Sequence, residues 1–261
     1  LFSGDSEDNS LMLKFMSSNA FPAFFSIALP LLKYGIPVRP VLIDNMRRYA
    51  DYLKDYDMLL MSYEYMKPDY PDINSSLASW VLEGGQLIYI GDGSDPFNSI
   101  NSWWTEKYNN PAEHLFSLLG ITPEGEKSIF TAGNGTAAVY SVNPATFSYS
   151  KENADKMRSF FIEVANRKNV HPEFCNHLII ERSPYVIAAV MDESVNDEPL
   201  VFSGLFCDMY SPAFDIITEK ILYPGEKCIL SDLMKVKGES EIIGTSVRVN
   251  EINVSEDEAV L

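Results

Sequence analysis

Residues 72–93, DINSSLASWVLEGGQLIYIGDG, decide the fold class of this chain. The first half carries apolar residues at helical spacing and ends in two glycines, so it predicts a helix capped by Asp72. The second half, QLIYIG, predicts a strand that stops abruptly at Gly91. The preceding run DMLLMSY, residues 57–63, is unbroken and apolar, which is typical of a parallel strand buried on both faces. The order strand, helix, strand indicates a βαβ unit.

The same alternation extends over about the first 120 residues. Strands are predicted at 1–5 and 36–44, and helices at 47–56 and 111–121. A helical pattern also spans residues 8–34, where Pro22 is expected to break it and Gly35 to end it. Alternation of this kind predicts an α/β domain, a mostly parallel sheet with helices on both faces.

The pattern changes from about residue 125. Residues 128–142 predict a hairpin around Gly-Asn-Gly, and residues 150–169 predict a helix. Beyond His171 the pattern is wholly β and predicts an antiparallel β-sandwich domain. Its expected strands fall in four stretches: 176–194, 200–210, 215–233 and 241–253. The predicted domains are therefore 1–168 (α/β) and 169–261 (antiparallel β).

Composition narrows the classes of partner. The formal net charge of −17 argues against nucleic acid and against docking on an anionic membrane. No apolar run reaches the ~18–20 residues of a membrane span. The three cysteines show no C-x-x-C spacing, so we predict neither metal nor cofactor, and a cytoplasmic location is favoured. The abrupt ends at Leu1 and Leu261 favour a segment of a longer polypeptide.

The candidate site lies where parallel strands end, because ligands of such sheets bind beyond the carboxyl ends of the strands. Three loops are expected to gather there: residues 3–5, 62–65 and 91–95. A hydrolytic triad is disfavoured, because the Gly91–Gly93 turn lacks a nucleophile and only a Ser94–His114 pair could replace it. Acidic side chains in the same turn disfavour phosphate binding.

A neutral sugar or polyol suits these loops better. Carboxylates accept hydrogen bonds from hydroxyl groups, and aromatic faces stack on sugar rings. The candidate ligand-binding residues are Tyr63, Glu64, Asp92, Ser94, Asp95, Trp103 and Trp104. The alternative is that both aspartates cap turns while the tryptophans fill a groove or a subunit contact.

Two further roles are open to the acidic residues. Glu64 and Asp92 could form the acid pair of a glycosidase, which needs its carboxyl groups ~5–10 Å apart. Asp92, Asp95 and Asn98 offer oxygen ligands for a cation but do not match an EF-hand loop. The acidic stretch 191–199 predicts a solvated hairpin tip.

Three stretches carry a resemblance to a known family: LLKYGIPV (31–38), YDMLLMSYEYMKPD (56–69) and LASWVLEGGQLIYIGDG (77–93). Over roughly residues 1–120 the chain resembles the flavodoxin- and class I glutamine amidotransferase-like fold. Within that fold it looks most like the trimerisation domain that follows the barrel in family-42 β-galactosidases. True amidotransferases carry a cysteine nucleophile in a G-x-C-x-G elbow. Here the corresponding turn reads Tyr89-Ile90-Gly91-Asp92-Gly93, so glycine stands at the nucleophile position and no catalytic residue is predicted.

The β region is similar to the β-sandwich modules that close many multidomain glycosidases. Together the resemblances imply a non-catalytic accessory or assembly module of a larger glycoside hydrolase-like protein. Its expected partners are an upstream catalytic domain or a homo-oligomer subunit, with carbohydrate as a possible contact. The alternatives are a stand-alone carbohydrate-active hydrolase that uses these carboxylates, and a pure sugar-binding module.

Overall fold

The computed structural model describes residues 20–236, 253–254 and 259–260. The chain divides into two compact units, one containing residues 20–32 and 38–172 and the other containing residues 33–37 and those from Glu173 onward. The predicted strands at 1–5 and 241–252, and the helical pattern at 8–19, lie outside the described residues. Within the described part, no helix is both long enough and apolar enough to cross a lipid bilayer.

The first unit is an α/β sheet flanked by helices. Its helices are α1 (Ala20–Leu32), α2 (Pro71–Glu83), α3 (Pro111–Leu119) and α4 (Lys151–Asn166). Its strands are β1 (Met58–Met61), β2 (Gln86–Ile90), β3 (Lys127–Ala132) and β4 (Gly135–Tyr140). The sheet order is β1-β2-β4-β3, with β1, β2 and β4 parallel and β3 antiparallel at the edge.

Helices cover both faces of this sheet. On one face, alternate residues of the strands, such as Leu87 and Tyr89, join Leu77, Val81 and Leu115 of α2 and α3 in one core cluster. On the opposite face, the Gln86 side chain donates to the carbonyl of Val164 in α4. The ring of Tyr140 packs there against Phe147 and Phe160 at 5.1 and 5.2 Å between centroids. Because β2 is buried along its whole length, its sequence shows no alternation of polar and apolar residues.

The second unit is an antiparallel sheet with the order β5-β6-β9-β7-β8. Its strands are β5 (His177–Arg182), β6 (Tyr185–Val190), β7 (Leu200–Asp208), β8 (Ile216–Leu222) and β9 (Lys227–Asp232). A separate hairpin pairs β10 (Asn253–Val254) with β11 (Ala259–Val260). The antiparallel class is as predicted, whereas the finer prediction of a two-sheet sandwich stays a prediction. All three cysteines are free thiols.

The helices and strands around the opening stretch form as predicted. β1, β2, α3 and α4 fall within the predicted stretches, and α2 and the β3–β4 hairpin begin one residue before theirs. Gly84 ends α2 with φ +141°, and Gly120 ends α3 in the left-handed region at φ +66°. Both conformations favour glycine, which explains why the ends of α2 and α3 can be predicted from the sequence.

Two predicted elements before β1 are wrong. Residues 36–44 form no strand, and a 3₁₀ helix spans Ile43–Arg47 instead. Pro37 and Pro40 lack the backbone N–H groups that would pair with a neighbouring strand, so this stretch does not form a strand. The predicted helix at 47–56 does not form: after Arg47, residues 48–55 make successive turns, and Asp51 has φ +56°, which interrupts any helical run.

Two smaller predictions are also corrected. Asp72 is not the cap of α2, because the cap position is Tyr70 and Asp72 lies in the first turn. Residues 191–199 are not a hairpin tip, since β6 and β7 are not neighbours and β9 lies between them. α1 contains Pro22 in its first turn, where a missing N–H costs no helical hydrogen bond, and it ends three residues before Gly35.

Candidate functional site

Two of the expected loops meet at the carboxyl edge of the sheet. The loop after β1 and the loop after β2 are joined because their strands are hydrogen-bonded neighbours. The backbone N–H of Tyr65 donates to the carboxylate of Asp95, and the N–H of Gly93 donates to Glu64 Oε1 at 3.2 Å. The third expected loop, residues 3–5, lies outside the described residues.

Asp95 is the centre of these contacts, and its side chain is 0% exposed. Its Oδ2 lies 2.6 Å from Lys67 Nζ, while Oδ1 accepts from the N–H of Phe97 at 2.8 Å and caps the 3₁₀ helix Pro96–Ser99. Lys67 donates in addition to the carbonyl of Tyr63 at 2.7 Å. The Asp95 carboxylate is therefore bound by protein groups alone, namely the ammonium group of Lys67 and the backbone N–H groups of Tyr65 and Phe97.

Glu64 is the unusual carboxyl group of the site. The residue is 6% exposed, and its Oε2 has no hydrogen-bond partner in the described part of the chain. Burial is the largest influence and raises the pKa of this carboxyl group. Lys67 and the Gly93 N–H act in the opposite direction, whereas Asp92 and Asp95 raise the pKa further. Glu64 is therefore protonated more readily in the folded protein than it would be in water.

The turn at Gly91 leaves no space for a nucleophilic side chain at that position. A Cβ atom on Gly91 would lie 2.8 Å from the hydroxyl of Tyr89 and 3.1 Å from Glu64 Oε1. Gly93 has φ +74°, a conformation that glycine adopts without strain. The exposed Asp92 accepts from the N–H of Ser94 at 3.0 Å, which closes the turn.

Both predicted tryptophans bind backbone carbonyls, one in the loop after β1 and one in the loop after β2. Trp104 is buried and donates its indole N–H to the carbonyl of Asn98 at 3.0 Å. Trp103 donates to the carbonyl of Pro68 at 2.9 Å. Their rings meet edge to face at 5.4 Å between centroids. Both N–H groups are thus already used within the protein.

Tyr63 and His114 belong to a buried polar network instead of the exposed loop. The hydroxyl of Tyr63 donates to Asn74 Oδ1, and Asn74 Nδ2 donates to the carbonyl of Pro111 at 2.8 Å. Asn74 Nδ2 also lies 3.2 Å from His114 Nδ1, and burial lowers the pKa of that histidine. No hydrogen bond joins Ser94 to His114 within the described residues.

A shallow cavity of about 450 Å³ lies beside the loop. Of the seven predicted ligand-binding residues, Asp95 alone lines it, together with Asn98, which the sequence offered only as a cation ligand, and with residues that sequence reasoning did not select: Ser99, Thr105, Tyr108 and Asn109. The hydroxyls of Ser99 and Thr105 donate to the carbonyls of Pro96 and Ser102 at 2.9 and 2.8 Å. The side chain of Asn109 donates to Glu113 at 2.8 Å. Most of the polar lining is therefore already hydrogen-bonded.

The cation alternative finds no support in this loop. The described residues contain no group of three or more His, Cys, Asp or Glu side chains placed to hold a metal ion. Lys67 occupies the position beside Asp95 that a cation would take. Asn98 turns its amide Nδ2 to the carbonyl of Gly93 at 2.9 Å.

A second cavity, of about 270 Å³, lies elsewhere on the first unit. It is lined by Asp44, Arg47, Arg48, Asp69 and Tyr70. Sequence reasoning missed it because residues 36–56 were assigned to a strand and a helix. The pair of adjacent arginines in a strongly acidic chain was the available signal.

Comparison with known proteins gives structural neighbours only. No protein-family model matches the chain, and no curated protein matches it. Among solved structures, the chain is similar to the beta-galactosidase from Bacillus circulans sp. alkalophilus, with 12% identity, 83% of this chain and 38% of that chain covered, and a TM-score of 0.46.

Two further beta-galactosidases are similar. One is Gan42B, a GH42 beta-galactosidase from G. stearothermophilus, with 12% identity, 83% and 37% coverage and a TM-score of 0.43. The other is from Rahnella sp. R3, with 13% identity, 80% and 36% coverage and a TM-score of 0.43. The chain thus spans well under half the length of each of these structures.

Proposed function

We propose that this chain is a non-catalytic accessory and assembly module of a larger glycoside hydrolase-like protein. The observation that carries the proposal is that the loops after β1 and β2 bind most of their polar groups within the protein. At the sheet edge where an α/β enzyme would present reactive groups, the Asp95 carboxylate is fully buried and bound to Lys67. The sequence resemblance of residues 31–93 supports the glycosidase context.

The remaining polar groups of these loops support the same conclusion. Asp92 closes the turn through Ser94, and the indole N–H groups of Trp103 and Trp104 bind backbone carbonyls. The close approach of Tyr89 and Glu64 leaves no room for a side chain at Gly91. Groups that are engaged in this way are not available to a substrate, which favours an assembly role over turnover.

The second unit supports an assembly role. Ile180, Ile187 and Ile229 lie opposite one another on β5, β6 and β9 and therefore share one face of the sheet. Ile180 and Ile187 are exposed large apolar residues, and the neighbouring Tyr185 is exposed as well. Contiguous exposed apolar surface marks interaction sites more often than isolated apolar residues do.

The non-catalytic part of the proposal is tested by an assay with a panel of p-nitrophenyl glycosides on the 261-residue chain. We expect release of nitrophenol no faster than in buffer for every substrate. Hydrolysis above that background, abolished by Glu64→Gln, would overturn the proposal and identify Glu64 as an acid catalyst. Glu163→Gln serves as the control variant, because it makes the same chemical change at an exposed position on α4.

The assembly part is tested by sedimentation velocity over a range of protein concentrations. We expect concentration-dependent association that is lost when Ile180 and Ile187 are both changed to Asp, since a charge in an apolar contact is strongly disfavoured. Leu118→Asp, at an exposed position on α3, is the matched control and should leave association unchanged. A wild-type chain that is monomeric throughout would exclude a second copy as the partner of this face.

A stand-alone hydrolase is the second candidate, and one observation favours it. Glu64 is a buried carboxyl group with a raised pKa and an oxygen without a partner, which is how an acid catalyst is prepared. The glycoside panel with Glu64→Gln separates the two candidates directly.

A further inference from the structure

We propose that β5, the outer strand of the second unit, pairs antiparallel with β5 of a second copy of this chain, with a two-fold axis at Ile179. The two five-stranded sheets then continue into each other across this edge. The pairing rests on the assembly part of the proposed function, and it specifies the partner and the contact.

The sheet has an open edge at β5. In the described part of the chain, β5 pairs with β6 along an unbroken register from His177 to Arg182 and with no strand on its other side. The backbone N–H and C=O groups along such an edge are a template for another strand. Ile179 and Ile180 are 41% and 53% exposed, and consecutive residues of a strand point to opposite faces. Both faces of β5 are therefore accessible to a partner.

The opposite edge of the sheet, β8, carries features that oppose edge pairing, and β5 lacks them. Glu219 and Lys220 stand within β8, and the register between β7 and β8 shifts between Ser203 and Phe206. Charged side chains and bulges of this kind protect edge strands against association. β5 contains neither lysine nor proline, and its acidic and basic residues occupy only its last two positions. Of these two edges, β5 is the one suited to pairing.

The sequence of β5 is complementary to its own reverse. In an antiparallel pair related by a two-fold axis, one residue lies opposite its own copy and its neighbours pair in reverse order. With Ile179 on the axis, Leu178 lies opposite Ile180 of the second copy. His177 then lies opposite Glu181 of the second copy. Apolar side chains meet apolar ones and no like charges meet, so a second copy is the partner that this strand fits.

Other positions of the axis give poorer pairs. With Ile180 on the axis, Leu178 would lie opposite Arg182 of the second copy, and Ile179 would lie opposite a glutamate. With Glu181 on the axis, two carboxylates would lie directly opposite each other, which is destabilising. With Leu178 on the axis, each isoleucine would meet a polar residue. The side chains therefore select Ile179.

This pairing also covers apolar surface on both faces of the sheet. On one face, Ile179 lies opposite Ala188, which belongs to the buried core of the second unit. That core stops at β5, where Ile179 is still partly open to solvent. On the other face, Ile180 continues the exposed row of Ile187 and Ile229. An added strand places an apolar neighbour beside both Ile179 and Ile180.

Cysteine crosslinking on the 261-residue chain tests the register. Directly opposite residues of antiparallel strands lie ~4.5–5.5 Å apart between Cα atoms, a distance that a disulfide spans. Ile179→Cys should therefore form a disulfide-linked dimer under mild oxidation. The wild type, with its three free thiols, gives the background. Non-reducing electrophoresis measures the dimer, and peptide mapping by mass spectrometry verifies that position 179 is linked to its own copy.

Ile187→Cys is the matched control, because Ile187 is 39% exposed and lies on the neighbouring strand. Its two copies would be separated by three strand spacings, ~14 Å, which is too far for a disulfide. We expect no dimer above the wild-type background. Crosslinking of Ile187→Cys in place of Ile179→Cys would show that the apolar faces stack on each other. That result would overturn the edge pairing and leave the assembly role intact.

Sedimentation velocity supplies the second measurement, in about 0.15 M salt to screen the repulsion between chains of net charge −17. Ile179→Lys should weaken self-association by about tenfold or more, because it places a charge in an apolar contact. Val201→Lys, at an exposed position on β7, is the control and should leave association unchanged. A melting curve verifies that each variant is folded.

The outcomes separate this pairing from the proposed function. A wild-type chain that stays monomeric at every concentration would overturn both the pairing and self-assembly. Association that Ile179→Lys leaves unchanged would overturn the pairing alone. Loss of association in Ile179→Lys together with a disulfide at Ile179→Cys is the expected result.

Discussion

The loop after β2 and the cavity beside the 3₁₀ helix use the same kinds of residue in opposite ways. Both combine carboxylates, a cation and aromatic rings. In the loop, Asp95 is fully buried and bound by Lys67 and by backbone N–H groups. In the cavity, Asp44, Arg48 and Asp69 make no ion pair with another residue of the described part of the chain. The same residue types are therefore bound within the protein in one region and left to solvent in the other, although Glu64 Oε2 and Asn98 Oδ1 in the two loops also have no partner among the described residues.

The largest expected effect comes from breaking the ion pair of the loop. Lys67→Ala leaves the buried carboxylate of Asp95 without its cation, and removal of one partner of a buried pair costs ~3–5 kcal/mol. Urea unfolding followed by tryptophan fluorescence measures the loss. All three tryptophans, Trp80, Trp103 and Trp104, lie in the first unit, so the signal reports that unit.

Lys156→Ala is the control for this prediction. Its partner Glu152 lies one turn away on α4 at 2.8 Å, and both side chains are more than half exposed. Such pairs contribute ~0.3–0.5 kcal/mol. If Lys67→Ala cost no more than Lys156→Ala, the loop would not depend on its ion pair, and the contrast with the cavity would lose its basis.

The next effect tests the close packing at the nucleophile position. Gly91→Ala places a methyl group 2.8 Å from the hydroxyl of Tyr89, which is itself buried, and overpacking of this kind costs ~1–3 kcal/mol. Gly93→Asn is the comparison, because asparagine tolerates a positive φ and a Cβ atom there meets nothing closer than 3.5 Å. We expect Gly93→Asn to cost less than Gly91→Ala in the same urea experiment. The reverse order would show that backbone conformation, not space, requires glycine at this turn.

The fold was largely predictable because its signals are local. An unbroken apolar run predicted β1, and the glycines at 84 and 120 predicted where α2 and α3 end. The prediction for residues 36–56 is wrong because apolar content alone does not produce regular structure there, where Pro37, Pro40 and the left-handed Asp51 favour irregular backbone and turns. The loop 191–199 was misassigned because strand order depends on long-range pairing, which no local pattern encodes.

The site was predictable only in part, for a related reason. The parallel order of β1 and β2 implied that residues 62–65 and 91–95 would meet, and they do. Sequence could not show that Lys67 would reach Asp95 or that Trp103 and Trp104 would bind carbonyls. Those partners lie up to 35 residues away along the chain, so only the folded backbone brings them together.

A smaller effect, with a defined pH dependence, is expected at Glu64. Burial raises the pKa of this carboxyl group in the folded state, so its ionised form destabilises the protein at neutral pH. Stability is regained as pH falls through the folded pKa towards the unfolded value of 4.5. Glu64→Gln keeps the acceptor for the Gly93 N–H and removes the charge, so it should stabilise the chain at neutral pH by ~1 kcal/mol, the lower end of the cost of a buried unpaired group.

Melting temperatures at neutral pH and at about pH 4.5 measure this difference. The gain from Glu64→Gln should be largest at neutral pH and should shrink at the lower pH, which lies below the raised pKa of Glu64 in the folded protein, so that the folded wild type carries less of the unfavourable charge. Glu163→Gln, at an exposed position on α4, is the control and should leave the melting temperature unchanged at both values. A gain that does not depend on pH would mean that the charge of Glu64 is not the destabilising factor.

The smallest effect is expected in the cavity, and it decides whether the comparison holds. Asp44 makes no ion pair or hydrogen bond with another described residue, so Asp44→Asn should change the free energy of unfolding by no more than ~0.5 kcal/mol. Asp95→Asn gives up the contact with Lys67 and should cost several times more in the same urea experiment. A loss above ~1 kcal/mol for Asp44→Asn would show that this carboxylate is part of the structure, as Asp95 is. The two carboxylates would then not differ, whereas a near-zero loss would leave the contrast between the loop and the cavity standing.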